Sequence, residues 1–308
     1  MKVVQGISEI KYPLKGSVLT IGNFDGVHIG HQQLIAQVVE KAKKNGLCSV
    51  IITFAPHPSK VLRPESPVAQ LFPVEDMAKQ MEKMGVDVLI VEPFDLKFSQ
   101  LSAAEFIGQR VTPVLCPKEI IVGYDFAFGR GREGSFDNLL SLSKKYSFDL
   151  SRLDPVTLNG EIVSSSRVRE LLKQGDVDQV SMLLGRPFYL SGIIERGEGR
   201  GEKLGFPTAN LNTQFEVLPA IGVYITYFIV DDEYLPSLTN VGRKPTFHDS
   251  HEISIETFVL DKGRSFYGES SRIQFLSRIR PELKFSSARE LICQIDKDVN
   301  VAKKYFGL

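Results

Sequence analysis

One segment near the start of the chain, Thr20-Ile-Gly-Asn-Phe-Asp-Gly-Val-His-Ile-Gly-His31, constrains the fold more than any other. The apolar run at residues 18–21 predicts a buried strand, and apolar residues at helical spacing follow from about His28. The glycine-rich residues between them predict a tight turn that exposes the backbone. The segment therefore predicts a strand, a turn and the start of a helix, where N–H groups and partial positive charge suit phosphate oxygens.

Two histidines stand at the predicted helix start, three residues apart and so on one face of its first turn. Gly30 lies between His28 and His31 and leaves room for a ligand against the backbone. Two imidazoles in this place can donate hydrogen bonds to a triphosphate as charge builds on it. The alternatives are a zinc site, for which no third ligand follows at a fixed offset, and ordinary polarity at a helix start.

The charge and cysteine content exclude several classes of protein. The 308 residues suffice for two ordinary domains, and Lys plus Arg equals Asp plus Glu at 37 each. A net charge of zero argues against a broad nucleic-acid or membrane-surface binder. The sequence contains no signal-peptide core and no apolar run long enough to span a bilayer. Cys48, Cys116 and Cys293 form no metal or redox motif, so we expect reduced thiols in a cytoplasmic protein.

Strand-like and helix-like patterns alternate through the first half of the chain. Further strands are predicted at 49–54, 86–91 and 119–122, and helices at 74–84 and 102–111. The second of these helices begins with a capping box at Ser102 and Glu105. This alternation predicts a parallel sheet covered by helices on both faces, with ligands at the carboxyl ends of its strands. The histidine segment follows the first predicted strand and so lies at that edge.

A serine run, Ser164, Ser165 and Ser166, is the second candidate phosphate site. It precedes a helical pattern that Gly175 ends. The hydroxyls can cap the helix start without any ligand. Arg169 follows in the same segment, and its permanently charged guanidinium suits a leaving pyrophosphate.

The sequence pattern changes at Gly185-Arg-Pro187, which ends the helical pattern. Short alternating runs follow at 189–195, 222–230, 234–241, 252–260 and 271–279, separated by turn residues. Such runs predict a small antiparallel barrel, and a last helical pattern at 286–305 predicts a helix packed against it. The expected domains are therefore 1–185 and 186–308.

A glycine-rich segment, Gly197 to Asn210, begins the second predicted domain. Its glycines, among them Gly201 and Gly205, predict a loop that can cover phosphates with backbone N–H groups. Thr208 and Asn210 point the same way on an extended chain, and two neutral oxygens can hold a Mg²⁺ ion that keeps its waters and the ATP phosphates. A glycine-rich turn before an edge strand is the alternative. No Gly-x-x-x-x-Gly-Lys-Ser/Thr sequence occurs, which excludes a P-loop kinase.

The segment from Gly22 to His31 resembles the nucleotidyltransferase signature of the bacterial bifunctional riboflavin kinase/FAD synthetase family. The resemblance continues, in the family's order, through the serine run, Gly205-Phe-Pro-Thr-Ala-Asn210 and Ile255-Glu-Thr257. It implies an N-terminal Rossmann-like nucleotidyltransferase domain that adenylylates FMN and a C-terminal barrel that phosphorylates riboflavin. The expected substrates are ATP, riboflavin and FMN, the expected cofactor is Mg²⁺, and the sequence leaves the oligomeric state open.

The resemblance also implies roles for individual residues. His28, His31 and Arg169 would stabilise the transferring and leaving phosphates, and Glu256 would accept a proton from the ribityl hydroxyl as it attacks the γ-phosphate. The residues expected to bind ATP are Gly22, Asn23, Phe24, Asp25, Gly30, Ser164, Ser165, Ser166, Gly201, Lys203 and Gly205. Those expected to bind the flavin are Pro56, His57, Pro58, Asp125, Phe128 and Arg280, and those expected to bind Mg²⁺ are Thr208 and Asn210.

A dinucleotide-binding fingerprint is a competing interpretation of one loop. Gly129, Gly131 and Gly134 satisfy Gly-x-Gly-x-x-Gly, and Asp149 follows at a suitable distance. The residues before them, Tyr124 to Phe128, carry an aspartate and three aromatic residues where a buried strand should run into the turn. The stretch instead resembles the family's Gly-x-Asp-Phe-x-Phe-Gly loop, which approaches ATP and flavin.

Three positions depart from the family pattern. Many relatives have Arg, Arg and His where this chain has Ala127, Glu202 and Phe258. These departures leave open a flavin-binding regulator with one or both sites inactive. The nearer alternative is a nucleotidyltransferase that uses another phosphorylated acceptor, and the Pro-Thr-Ala-Asn motif argues against it.

Overall fold

The structure is a computed structural model, and it describes residues 1–197, 201, 205–243, 253–260 and 265–308. The chain divides into two units, Met1–Ser165 and Ser166–Leu308. The predicted α/β architecture of the first half and the predicted antiparallel barrel of the second are both confirmed.

A parallel sheet of six strands is the centre of the first unit. The strands are β1 (Lys2–Val4), β2 (Ser17–Ile21), β3 (Cys48–Ala55), β4 (Val88–Pro93), β5 (Pro117–Val122) and β6 (Asp149–Arg152). They lie in the order β1-β4-β3-β2-β5-β6, and every neighbouring pair is parallel. The chain from β2 onward winds first to one side and then to the other. The carboxyl ends of β2 and β5 therefore border the crevice where open sheets of this kind bind ligands.

Helices cover both faces of this sheet. They are α1 (Ile29–Lys44), α2 (Pro58–Leu62), α3 (Val74–Lys83), α4 (Ala103–Glu105), α5 (Thr112–Leu115) and α6 (Phe136–Tyr146), and a hairpin of β7 (Thr157–Leu158) and β8 (Glu161–Ile162) follows. The apolar stripe of α1 packs on β2, β3 and β5 as its spacing predicts. Leu19 and Ile21 face the opposite side, where they join a core formed with α4 to α6.

The segment between α4 and α5 differs from the single helix predicted at 102–111. The capping box at Ser102 is confirmed, because its hydroxyl accepts the Glu105 N–H and the Glu105 carboxylate accepts the Ser102 N–H. The chain then widens into a π-helix, Phe106–Val111. A Cβ at Gly108 would stand 2.1 Å from the Tyr146 hydroxyl, so glycine permits the close approach of α6 here.

The second unit is built on a closed antiparallel barrel, which has six strands in the described part of the chain. Two short helices, α7 (Ser165–Gln174) and α8 (Val177–Leu184), precede the barrel. The strands are β9 (Tyr189–Glu195), β10 (Ala209–Thr213), β11 (Gly222–Val230), β12 (Glu233–Arg243), β13 (Ile253–Val259) and β14 (Ser270–Arg280). The predicted terminal helix is α9 (Ala288–Phe306).

The two faces of the barrel wall have different partners. Val223, Ile225 and Leu238 point outward, where Ala302 of α9 covers them. The alternate residues of the same strands point inward. They include three fully buried threonines whose hydroxyls lie 2.8 Å (Thr226 to Thr239) and 2.9 Å (Thr239 to Thr257) apart. These hydroxyls satisfy one another inside the barrel.

Hydrogen bonds from Arg278 and from the backbone join helix α7 to the barrel and to the segment before β11. The Arg278 guanidinium donates to the carbonyl oxygens of Gln174 (2.9 Å) and Ile221 (2.7 Å). The Ala220 N–H donates to the Leu172 carbonyl at 2.8 Å. The two helices therefore belong to the second unit, although the expected domain boundary at 185 lies after them. Where the two activities separate remains a prediction.

A fragment that keeps α7 and α8 should be more stable than one that starts at Gly185. Residues 185–308 would expose the barrel surface that the two helices cover and would lose the bond from Arg278 to Gln174. We expect 185–308 to fold with a Tm about 5–10 °C below that of 166–308, since 1 kcal/mol shifts Tm by roughly 4–8 °C in small domains. Thermal melts followed by circular dichroism compare the two. Arg278→Ala should lower the Tm of fragment 166–308 more than that of fragment 185–308, because only the longer fragment contains Gln174. An equal fall in both fragments would contradict the role of Arg278 in holding α7.

Candidate active sites

Three of the loops predicted to bind substrates leave the sheet at the same edge. Residues 22–28 follow β2, residues 56–57 follow β3, and residues 123–135 follow β5. Because β3, β2 and β5 are neighbouring parallel strands, their carboxyl ends lie side by side. The structure thus brings the histidine segment, the Pro-His-Pro loop and the Asp-Phe-Ala-Phe loop to one edge of the sheet.

The turn between β2 and α1 is tightly wound. Phe24 and Val27 have positive φ angles of 51° and 42°, and Gly26 has 85°. Such angles cost of order 1–3 kcal/mol for residues other than glycine and persist only when the surroundings hold them. Phe24 and Val27 are both buried, and the Val27 N–H donates to the Phe24 carbonyl at 3.0 Å.

His28 is the N-cap of α1. Its Nδ1 accepts the His31 backbone N–H at 3.3 Å, so the neutral ring carries its proton on Nε2. The rings of His28 and His31 are stacked, with centroids 3.6 Å apart. A Cβ at Gly30 would stand 3.2 Å from His28 Nδ1, which gives this glycine a part in the ring geometry as well. The pair therefore presents one imidazole N–H beside the N–H groups of the first helical turn.

His31 is held in its neutral form. Burial, and then the neighbouring His28, lower the pKa of His31 well below its usual value. The edge of the Phe24 ring meets His31 at 5.3 Å between centroids. Its Nδ1 is buried and has no hydrogen-bond partner within the described residues. Near neutral pH His31 can therefore offer a hydrogen bond but not a full charge.

Acid should destabilise the first unit partly through His31. Below a pH of about 6.5, the ordinary pKa of histidine, the unfolded chain takes up a proton that folded His31 does not accept. The free energy of unfolding then falls as pH falls, by at most about 1.4 kcal/mol per pH unit from this residue. Urea unfolding at pH 7.5 and 5.5 should show a smaller loss for His31→Gln than for the parent. An equal loss would contradict the lowered pKa.

Asp25, predicted to bind ATP, has other partners in the structure. Its carboxylate oxygens accept the Leu71 N–H at 2.9 and 3.1 Å, and one also accepts the Phe72 N–H at 3.4 Å. Its backbone carbonyl accepts a hydrogen bond from the Ser165 hydroxyl at 2.8 Å. Ser165 is the first residue of α7, so the serine run stands at a helix start as predicted. Ser166 lies beyond the division between the units.

His57 caps α2 and contacts the histidine turn. Its Nδ1 accepts the Ser59 N–H at 3.2 Å, and its Nε2 lies 3.2 Å from the Asn23 side-chain amide. Pro58 is the first residue of α2, and Pro56 follows a cis peptide bond. Two residues predicted for different substrates, Asn23 and His57, are therefore in direct contact.

The loop from Gly123 to Gly134 packs against α4. Phe128 is buried and exchanges two backbone hydrogen bonds with Gly134, whereas Asp125 is exposed. A Cβ at Gly129 would stand 2.8 Å from the Ala103 backbone nitrogen. The loop begins after Val122 and ends before α6, so its glycines do not join a strand directly to a helix. This geometry argues against the dinucleotide-binding interpretation.

A row of polar side chains crosses the outer wall of the barrel. Asn210 of β10 lies directly opposite Glu195 of β9 on one side and Glu256 of β13 on the other, and Asn240 of β12 lies opposite Glu256. Residues in such positions point to the same face. Glu195 and Asn240 were not among the predicted site residues, because only the strand register reveals them. We call these four residues the polar row.

Two glycines of the glycine-rich segment lie close to the side chains predicted to bind Mg²⁺. A Cβ at Gly197 would clash with the Asn210 side-chain amide, and one at Gly201 would clash with the Phe206 carbonyl and stand 3.3 Å from the Thr208 hydroxyl. Neither position leaves room for a side chain. Gly205 is exposed with a φ of 89°. Lys203 and Glu202 lie outside the described residues.

Two further positions of the barrel have partners within the fold. Phe258, one of the departures from the family pattern, meets Phe206 edge to face at 5.5 Å. Arg280, predicted to bind flavin, donates from Nε (3.0 Å) and Nη2 (2.7 Å) to the buried Asp298 carboxylate of α9. Its Nη1 donates to the Pro281 carbonyl. The structure thus gives Arg280 a role in holding α9.

The side chains that could bind a metal ion are oxygen donors of the barrel. In the part of the chain that the structure describes, no three or more His, Cys, Asp or Glu side chains are grouped so as to hold a metal ion. The zinc interpretation of His28 and His31 therefore gains no third ligand there. The oxygen donors of Thr208, Asn210 and the neighbouring Glu256 are of the kind that Mg²⁺ prefers when it keeps several waters.

A nucleotidyltransferase-like sheet and a small barrel, each with phosphate-type signatures, define a two-domain enzyme of the phosphate-transfer class. Family models match both parts: FAD synthetase over residues 11–167 and riboflavin kinase over residues 184–306. The bifunctional riboflavin kinase/FMN adenylyltransferase of Bacillus subtilis is 37% identical over 304 residues, 97% of this chain and 95% of the relative. That of Listeria monocytogenes is 36% identical over 295 residues, 94% of this chain and 92% of the relative. The chain belongs to the bifunctional riboflavin kinase/FMN adenylyltransferase family.

A solved structure shares the fold of the whole chain. It is titled a macrolide-efflux protein from Streptococcus pneumoniae, is 29% identical, and superposes with a TM-score of 0.88 over 98% of both chains. Among the helices of the described residues, none is long and apolar enough to cross a membrane.

Proposed function

We propose that this chain makes both flavin cofactors in succession. The second unit phosphorylates riboflavin with ATP to give FMN, and the first unit adenylylates FMN with a second ATP to give FAD and pyrophosphate. The observation that carries the proposal is the pair of separate phosphate-type sites, the histidine turn in one unit and the polar row in the other. Efflux, the activity in the neighbour's title, is not proposed, because both family models name enzymes.

In adenylyl transfer, a phosphate oxygen of FMN attacks the α-phosphorus of ATP. The new O–P bond forms as the bond from the α-phosphorus to the bridging oxygen breaks, and pyrophosphate leaves. His28 Nε2–H and the N–H groups at the start of α1 donate to oxygens whose charge grows in the transition state. His31 supports the stacked pair, and Arg169, which the family resemblance implies for the leaving pyrophosphate, stays a candidate for that role. No nucleophilic side chain is needed, because positioning and charge stabilisation supply most of the catalysis.

In riboflavin phosphorylation, the ribityl hydroxyl attacks the γ-phosphorus of ATP and ADP leaves. Glu256 accepts the hydroxyl proton, and its position opposite Asn210 supports this role. Thr208 and Asn210 would hold Mg²⁺, which, when bound, neutralises charge on the ATP phosphates. Gly197 and Gly201 lie close to Asn210 and Thr208, respectively, which supports a phosphate site beside them. Lys203 stays a candidate for the phosphates.

The flavin of the first unit binds along the loops beyond β3 and β5. Pro56, His57 and Pro58 border it on one side, and Asp125 and Phe128 on the other. Arg280 stays a proposed flavin ligand of the second unit, and the bonds of its guanidinium to Asp298 and to the Pro281 carbonyl would hold it in place. The cytoplasm, where ATP is plentiful, is the proposed location, and cell fractionation tests it.

Incubation of the purified chain with riboflavin, ATP and Mg²⁺ tests the proposal, with the flavins resolved by chromatography. We expect FMN to accumulate first and FAD to follow. Fragment 166–308 should form FMN and no FAD. FMN without FAD in the full chain would favour a transferase with another acceptor, and binding without turnover would favour a regulator.

A further inference from the structure

The turn that carries the catalytic histidines is strained and needs an anchor. Phe24 and Val27 both have positive φ angles, which is uncommon for an aromatic and a β-branched residue. The N-cap geometry of His28 depends on this turn, because the chain reaches α1 directly from Val27. Without an anchor, the turn would relax toward ordinary angles, and the imidazoles would move away from their stacked arrangement.

Asp25 lies at the centre of the turn and accepts hydrogen bonds through both its side chain and its backbone carbonyl. Its side chain is 2% exposed and accepts the backbone N–H groups of Leu71 and Phe72, which are themselves fully buried. Hydrogen bonds from backbone N–H groups to a carboxylate are among the strong ones in proteins. Its carbonyl oxygen accepts the Ser165 hydroxyl, so Asp25 is also bonded to the last residue of the first unit.

We propose that Asp25 is a positioning residue for adenylyl transfer, through which the segment at 71–72 and Ser165 are held against the histidine turn. Its carboxylate accepts two buried backbone N–H groups, so in this proposal the residue affects the rate by fixing the position of His28. Ser165 takes part in the same way, because its hydroxyl serves the Asp25 carbonyl. This inference rests on the proposed role of His28 in FAD formation.

The substitutions Asp25→Ala and Asp25→Asn separate positioning from direct binding. Alanine removes every acceptor on the side chain, whereas asparagine keeps Oδ1, which accepts from both Leu71 and Phe72, and loses only the longer bond from Leu71 to Oδ2. We expect Asp25→Ala to lower kcat for FAD formation by ~10²-fold, the cost of a misplaced site, with a smaller change in KM for ATP. Asp25→Asn should retain most of the rate, and FMN formation should be unchanged in both variants.

Hydrogen exchange gives a readout that does not depend on activity. In the full chain, the Leu71 and Phe72 amides should be protected in the parent and in Asp25→Asn and should exchange faster in Asp25→Ala. Asp87→Ala is the matched control. That carboxylate also accepts a backbone N–H and a hydroxyl, both from Ser49, but it lies where β3 and β4 begin, at the opposite edge of the sheet. FAD formation should continue there at the parent rate.

Two outcomes would overturn the proposal. The first is FAD formation by Asp25→Ala at the rate of the parent protein. The second is an equal loss of FAD formation in both Asp25 variants while the Leu71 and Phe72 amides stay protected from exchange, which would make Asp25 a direct ligand of the substrate. If Asp25→Ala does not fold, Ser165→Ala decides instead, with an expected loss of about fivefold, as for one hydrogen bond. A parent rate there would also overturn it. His28→Ala in the same assay tests the proposed role of His28 independently of Asp25. Only FAD formation at the parent rate in His28→Ala would refute that role.

Discussion

Replacing His28 with alanine should abolish FAD formation while FMN formation continues at the parent rate. The ring carries its proton on Nε2 at the start of α1, because Nδ1 is already bonded to the His31 backbone N–H. A single preorganised donor of this kind is typically worth ~10²–10³ in rate. Steady-state assays with FMN and with riboflavin, run on the same preparation, measure the two activities separately.

The capping role of His28 needs its own control. His28→Ala also removes an N-cap, which costs about 1 kcal/mol of stability. His28→Asn should restore the cap and not the rate, because an amide oxygen can accept the His31 N–H. Ser287→Ala, which removes the N-cap of α9, should cost similar stability and leave FAD formation intact. FAD formation at the parent rate in His28→Ala would refute the phosphate role of this turn.

The second large effect concerns the polar row. Asn210→Ala and Glu256→Gln should each abolish FMN formation, and both variants should still make FAD from supplied FMN. Asn210→Ala should raise the Mg²⁺ or ATP concentration that the reaction needs. Glu256→Gln should bind riboflavin and MgATP normally and slow the chemical step by ~10²–10⁴, the usual worth of a general base.

Single-turnover phosphorylation of riboflavin at saturating ATP and Mg²⁺ distinguishes the two variants. Asn210→Ala should recover part of its rate there, whereas Glu256→Gln should not. Asn212→Ala removes the next amide on the same face of β10, which donates to Glu195 of the polar row, and should lower the rate much less than Asn210→Ala does. If Glu256→Gln kept the parent rate, the base would have to be another residue of the barrel.

Most of the fold could be predicted from the sequence because its strands are apolar and its breaks are glycine and proline. The predicted runs at 189–195 and 222–230 coincide with β9 and β11. The strands that were missed are short or polar: β1 has three residues, β6 is half charged, and β10 reads Ala-Asn-Leu-Asn-Thr. Periodicity carries little information in such segments, and neighbouring strands determine their structure.

The candidate sites could be predicted only in part, because sequence motifs identify residues without showing what each side chain contacts. Motifs identified the histidine turn, Asn210 and Glu256, but a motif cannot tell whether a charged residue serves the substrate or the fold. Asp25 and Arg280 both matched the family, and the structure pairs one with backbone N–H groups and the other with Asp298. Glu195 became a candidate only through its position opposite Asn210. That information is in the register of the strands.

The three threonine hydroxyls inside the barrel are linked to the polar row outside it through the register of the strands. Thr239 and Thr257 are opposite one another within the wall, and the residues next to them, Asn240 and Glu256, are opposite one another outside it. A slip of β13 by one residue would turn Glu256 inward and would bury its carboxylate where the Thr257 hydroxyl now lies. The pairing of Thr239 with Thr257 inside the wall and that of Asn240 with Glu256 outside it therefore stand or fall together.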